Sequence, residues 1–172
     1  MNDLVELEIQ GSYLVKLNTF EDNRGTYRKL VSKEILDYFN FEINEINYIS
    51  SNKNSIRGLH LQDSGNECNK IFYCIDGNVT NLQLDTRNDS KSFGKYINTD
   101  LDSLSSSILF VPHGVATGFY FYENSKIIYW QSDFYQPLHE KSFSPSHFID
   151  LLSLKDPIIS EKDLKADTFR ID

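Results

Sequence analysis

Apolar and polar positions alternate with a period near two along most of the 172-residue chain, the pattern of strands with one face toward a core. Val79-Thr80-Asn81-Leu82-Gln83-Leu84-Asp85 alternates cleanly and predicts a half-buried strand. Lys70-Ile71-Phe72-Tyr73-Cys74-Ile75 is strand-like too, and Asp76-Gly77 between the two runs predicts a hairpin. Further strands are expected over 12–17, 45–50, 108–111, 117–122 and 126–131, with turns at 23–25 and 123–125. One helix is predicted over 33–40 with Ser32 as N-cap. A short helical turn is expected after Ser160, where Ser160-Glu161-Lys162-Asp163 resembles a capping box. No repeat or Pro/Gly-rich linker divides the chain, and all four prolines follow residue 110, clear of the expected central strands. The sum is one mostly β domain over 1–172, a sandwich or barrel with a few short helices. Such a barrel holds a ligand between inward-pointing side chains.

Composition agrees. Aromatics reach 13%, mostly Phe and Tyr, which favour strands. A chain of this length buries roughly 70% of its unfolded surface and needs no staple. The two cysteines, Cys68 and Cys74, fit no CxxC pattern and read as free thiols sharing one strand region. A formal net charge of −8 gives no bulk attraction to nucleic acid or an anionic membrane. The first six residues carry no basic, apolar leader, and no apolar run is long enough to span a bilayer. A cytoplasmic location is expected.

The sharpest local chemistry is Arg57-Gly58-Leu59-His60-Leu61-Gln62. Arg and His at i and i+3 of a strand face opposite ways unless a bulge intervenes, and Gly58 permits one. Lys70 follows ten residues after His60, at the start of the next strand. Downstream lie Pro112-His113-Gly114-Val115-Ala116-Thr117-Gly118-Phe119 and Tyr129-Trp130-Gln131-Ser132-Asp133-Phe134-Tyr135-Gln136-Pro137. Read alone, each residue has a plain alternative. His60 suits a satisfied polar residue, Lys70 a solvated charge, Tyr129 a core aromatic and Asp163 a helix cap. The run Phe119-Tyr120-Phe121-Tyr122 reads as alternating core, and His113, His139 and His147 as loop or surface residues.

Taken together, the segments resemble the dTDP-4-dehydrorhamnose 3,5-epimerase family of nucleotide-sugar epimerases. The resemblance begins at Phe20-Glu21-Asp22-Asn23-Arg24-Gly25-Thr26-Tyr27 and runs through Asn47, Ser51, Lys53 and Arg57-Gly58-Leu59-His60. It continues through Asp85-Thr86-Arg87-Asn88-Asp89-Ser90-Lys91-Ser92-Phe93-Gly94 to Ser160-Glu161-Lys162-Asp163. It implies a cupin-type β-barrel or jelly roll and a homodimer in which the N-terminal segment of one subunit reaches the other's site. The implied reaction inverts carbons beside the 4-keto group of a nucleotide-linked 6-deoxyhexose, in deoxysugar biosynthesis for a surface polysaccharide. The resemblance implies His60 as base, Asp163 as its orienting carboxylate, Lys70 as the cation near the enolate oxygen and Tyr129 as the acid on the far face. It likewise implies pyrophosphate contacts for Arg24 and Arg57, and places Asn47 and Tyr135 near the nucleotide. These cations would be a local exception within an acidic chain.

Three departures from the family pattern carry expectations. Thr117 stands where the family has His, and a hydroxyl is no acid or base near neutrality, so inversion at C3 alone is expected. Lys29 and Glu45 replace the family's Glu and Gln near the base. A free carboxylate at 45 would suit the amino group of cytosine, so the nucleotide is expected to be CDP or dTDP. Gln62 and Thr117 replace two histidines of metal-binding cupins, so neither metal nor cofactor is expected. Two alternatives stand beside the epimerase: a cupin ketoisomerase, against which Gln62 argues, and a degenerate cupin that binds a nucleotide sugar without turnover.

Overall fold

The structure, a computed structural model, describes residues 3–63 and 65–170. Met1 and Asn2, the first residues read above for a leader, lie outside it. The strands are β1 (Leu4–Glu6), β2 (Tyr13–Lys16), β3 (Thr19–Asp22) and β4 (Gly25–Arg28), then, after helix α1 (Lys33–Tyr38), β5 (Glu45–Ser51). There follow β6 (Ser55–Gln62), β7 (Lys70–Asp76), β8 (Asn78–Asp85), β9 (Tyr96–Asp102), β10 (Ser107–Val111), β11 (Val115–Phe121), β12 (Ser125–Gln131) and β13 (Glu140–Ser142). Helix α2 (Ser146–Leu151), β14 (Ile158–Ile159) and helix α3 (Glu161–Leu164) complete the described chain. One sheet has the order β1-β2-β10-β7-β12-β5 and the other β13-β6-β11-β8-β9, with β14 beside β6. Strands β3 and β4 form a separate hairpin.

Both predicted caps are present. Ser32 Oγ accepts from the Ile35 N–H and Ser160 Oγ from the Asp163 N–H. The expected strands are all found within a few residues of their predicted bounds.

Two expectations need correction. Asp76-Gly77 turns the chain but closes no hairpin, because β7 and β8 belong to different sheets. The turn is a barrel corner, and so is the one at 123–125 between β11 and β12. Gly77 (φ +87°) is packed against Ser125, where a Cβ would overlap the hydroxyl. Second, β8 is buried on both faces rather than half-buried. Leu82 and Leu84 point outward into a layer with Ile56, Leu59, Leu61 and Phe148. Asn81 and Gln83, on the opposite face, point into the barrel. Cys68 also falls outside β7, although both thiols are buried and free.

Three apolar layers explain the inversion. Val15, Ile71, Phe110 and Trp130 pack outside the first sheet against α1. The Leu82 layer covers the second sheet. Between the sheets, Phe72, Val79, Leu109, Phe121 and Ile127 fill part of the barrel. Burial on this scale, at roughly 25 cal/mol per Å² of apolar surface, lets the rest of the interior be polar. There Ser12 Oγ donates to Gln83 Oε1 at 2.7 Å and Asn81 Nδ2 to Thr117 Oγ1 at 2.8 Å. Asp85 locks the following loop: it accepts from Arg87, Ser90 and Ser92, and burial is outweighed by these bonds, which hold its carboxyl down at about 2.

The anticipated bulge is present. His60 pairs with Thr117 and Arg57 with Phe119, so two residues of β6 face one of β11. Gly58 (φ +99°) would bring a Cβ to 2.7 Å from the Thr117 carbonyl oxygen, and a Cβ on Gly118 would overlap the Arg57 carbonyl oxygen. Gly118→Ala is therefore expected to destabilise the fold by about 2 kcal/mol, read by urea denaturation. A midpoint equal to wild type would show that the crossing tolerates a side chain.

Candidate active site

The bulge puts Arg57 and His60 on the same, inward side of β6, while Leu59 and Leu61 face the outer apolar layer. Short helix α3 lies against this strand. Its Asp163 is buried and accepts from two groups: His60 Nε2 at 2.6 Å and the Gly58 N–H at 3.3 Å. Burial pushes the Asp163 carboxyl up, but its bonds to His60, Ser160 and Gly58 outweigh burial and hold it below the usual range. Ionised Asp163 fixes His60 with its Nε2 as donor and leaves Nδ1 free to accept a proton. A recess of about 350 Å³ opens here, lined by Arg57, His60, Lys162 and Asp163 among others.

The opposite sheet supplies the other groups. Lys70 and Phe72 alternate with Ile71 along β7, so Lys70 shares the inward face. Burial draws the Lys70 ammonium below its ordinary value, against the opposing pull of Cys68 and Glu140. Among the described residues no hydrogen bond or ion pair to that ammonium is found. Tyr129 on β12 also faces inward, its ring 5.3 Å from that of Phe72. Burial raises the Tyr129 hydroxyl, helped by Glu45, Cys68 and Glu140, with Arg57 pulling the other way. It stays protonated near neutral pH. These mutual influences place Arg57, Lys70, Tyr129 and Glu140 in one field.

Arg57 Nε donates to Ser51 Oγ at 2.6 Å. Thr117 is buried opposite His60, its hydroxyl held by Asn81. Asn47 pairs with Tyr129 in register, and its amide donates to Glu45.

Glu45 requires a correction. Its Oε1 accepts from the Tyr135 N–H at 2.9 Å, and its Oε2 from Gln131 at 3.1 Å and Asn47 at 3.3 Å. Three acceptor positions are spent inside the chain, so no free carboxylate awaits a cytosine amino group. Its role is to anchor the loop that carries Tyr135. Gln62 anchors the same loop from below, donating to the Phe134 carbonyl and accepting from the Gln136 N–H.

Arg24 and Lys29 stand apart from the site of their own chain. The chain does not bring them to His60. Arg24 sits at the exposed tip of the β3–β4 hairpin in a fork-to-fork pair with Asp22. Lys29 is exposed beside Phe20 and Tyr27. Arg28, which drew no notice in the sequence, ties the hairpin base to the barrel through the Tyr73 hydroxyl and the Ser103 carbonyl.

Glu140 is the functional candidate that sequence reasoning missed. Its Oε1 lies 3.6 Å from His60 Nδ1. Its other oxygen accepts from Tyr135 Oη at 3.1 Å and from Lys162 Nζ. No local signal marks it, since it reaches the site only through pairing of β13 with β6.

The family model described as dTDP-4-dehydrorhamnose 3,5-epimerase matches residues 6–170. A curated relative of that name from Shigella flexneri is 24% identical over 97% of this chain and 96% of its own length. A crystal structure of such an epimerase from Sulfolobus tokodaii superposes with a TM-score of 0.90 at 32% identity, covering 97% of this chain and 94% of that one. A 3'-monoepimerase from Streptomyces bikiniensis, in complex with dTDP-quinovose, shares the fold with a TM-score of 0.85 at 22% identity, over 94% of this chain and 85% of its own.

A half-buried, desolvated ammonium with no partner among the described residues is a burden on stability. Because its folded value is depressed, the unfolded chain takes up the Lys70 proton first as pH falls from 10.5, and stability falls with it. Lys70→Met is therefore expected to be more stable than wild type at neutral pH, by about 1 kcal/mol, in chemical denaturation. A less stable variant would mean that the ammonium has a stabilising partner.

Proposed function

The chain belongs to the dTDP-4-dehydrorhamnose 3,5-epimerase family, and from that premise we propose that it inverts the carbon beside the 4-keto group of a dTDP-linked 4-keto-6-deoxyhexose. One observation carries the reading. A base held by a carboxylate, His60 with Asp163, stands on one sheet, and a protonated Tyr129 stands on the other. Inversion needs a proton removed on one face and returned on the opposite one, and the two sheets supply the two faces. His60 Nδ1 takes the proton from C3, breaking the C–H bond. The electron pair moves onto the ketone oxygen, where the Lys70 ammonium stabilises the enolate. Tyr129 then gives its proton to the far face of C3. Arg57, whose planar fork suits phosphate oxygens, holds the diphosphate. General acid–base groups of this kind each contribute about 10²- to 10⁴-fold.

Inversion is confined to C3. Thr117, its hydroxyl committed to the Asn81 amide, offers no group that titrates near neutrality beside His60. The nucleotide is thymidine diphosphate, the one carried in the relatives' names, and Glu45 serves the chain's own loop, engaged by Tyr135, Gln131 and Asn47. The product enters deoxysugar biosynthesis for a surface polysaccharide.

The working unit is a dimer. Edge strand β5 turns Ile46 and Tyr48 outward, 61% and 60% exposed, and the β3–β4 hairpin presents Phe20, Tyr27 and Arg24 away from its own barrel. A second copy covering this edge would bring the hairpin to a neighbouring site. Light scattering is expected to give twice the chain mass, and a monomer at micromolar concentration would remove Arg24 from the site.

Turnover in D2O tests the chemistry. The product should carry deuterium at C3 alone with that centre inverted, as read by NMR. Deuterium at both C3 and C5 with both inverted would overturn the single-centre reading. His60→Asn should lose exchange by about 10²-fold or more and still be stabilised by dTDP over CDP in thermal shift.

A further inference from the structure

His60 is flanked by two carboxylates, and the family motifs account for only one. Asp163 takes Nε2. Glu140 faces the other ring nitrogen at 3.6 Å, beyond hydrogen-bond reach, so the Nδ1 lone pair stays free. Its position is not an accident of a loose side chain. Glu140 lies on β13, where it pairs with Gln62, and its side chain is only 13% exposed. Lys162 and Tyr135 grip its outer oxygen, which aims the inner one at the ring. We propose that Glu140 is a positioning residue for His60: it faces the nitrogen that Asp163 leaves free and holds the imidazolium that forms when that nitrogen takes the sugar proton.

The inference rests on His60 being the base. It adds the reason why the abstracted proton is retained long enough for Tyr129 to act on the far face. Once Nδ1 carries a proton, the ring is a cation with a carboxylate oxygen 3.6 Å from that nitrogen, and the attraction is greatest in the state that follows C–H cleavage. Burial alone would raise the Glu140 carboxyl, but Lys162, His60 and Tyr135 outweigh burial and bring it below the usual range. Glu140 is therefore charged whenever the enzyme turns over near neutrality. Lys162 has a second effect: as the residue before Asp163 on α3, it joins the two carboxylates that flank the ring into one assembly.

The charged groups around the ring are Asp163 and Lys162 from α3, Glu140 from β13 and Arg57 from β6 itself. Lys70 and Tyr129 face it from the other sheet, and β11 contributes only uncharged Thr117. Both carboxylates are held below their usual range, so both are charged near neutrality. The test is the pH profile of kcat/KM on the 4-keto nucleotide sugar. Glu140→Gln should move the acid limb to lower pH. Lys162→Met, which removes only the outer cation, should move it to higher pH. A Glu140→Gln profile that drops uniformly with the limb unmoved, or two variants that shift in the same direction, would overturn the proposal. If instead His60→Asn keeps deuterium exchange at C3, the failure belongs to the base assignment.

Discussion

The bulge at Gly58 is the constraint on which the site depends. Without it, Arg57 and His60 would point to opposite sides of β6. With it, the backbone N–H of Gly58 turns toward α3, and the carboxylate that receives this N–H also receives His60 Nε2. One buried group thus satisfies the irregular backbone and orients the His60 ring. The arrangement is mutually enforcing: Ser160 caps the four-residue helix through the Asp163 N–H, and a helix so short draws its stability from these tertiary bonds.

Polar residues turned inward in a β fold demand compensation, and the layering supplies it. Strands β5 and β8 carry their polar residues inward at the site. On β8 the outward leucines meet a third layer formed by the C-terminal segment. On β5 the outward Ile46 and Tyr48 meet solvent in the single chain. The difference identifies β5 as the face left uncovered by the chain's own layers. Further along the same strands the interior returns to Phe72, Phe121 and Ile127. The barrel is thus a solid apolar core at one end and carries its inward polar residues at the other.

Much of this was legible in the sequence, because strand alternation, caps and the bulge-forming glycine are local properties. Ser32, Ser160 and Gly58 are read within three residues of their effects. Which side of a strand faces the barrel is not local. The alternation of 79–85 is the same whether its leucines face the barrel or a covering helix, and only the C-terminal layer decides. Asp76-Gly77 has the composition of a hairpin turn, yet whether the next strand pairs back or crosses to the other sheet is set by neighbours far along the chain. Glu45 looked like a free base-reading carboxylate because its donors, Gln131 and Tyr135, are about ninety residues away. Glu140 escaped notice for the same reason.

The net charge of −8 gains a sharper meaning from the site. An acidic chain repels an anionic ligand at long range, so binding must be won at short range, by cations that are poorly screened. Arg57 and Lys70 meet that need differently. Arg57 is tied to Ser51 through Nε, and in the proposed function its remaining guanidinium nitrogens would meet the diphosphate. Lys70 is half-buried and desolvated and makes no bond within the described chain, which costs stability. The arrival of a ketone oxygen that becomes negative would offset that cost most fully at the enolate. An ammonium already satisfied by a carboxylate would favour the resting state instead, since binding energy accelerates a reaction only where it grows toward the transition state. In the proposed reaction the unpartnered lysine and the carboxylates that flank the histidine would follow one rule: each would gain a countercharge, the enolate for Lys70 and the imidazolium for Asp163 and Glu140, that exists only during turnover.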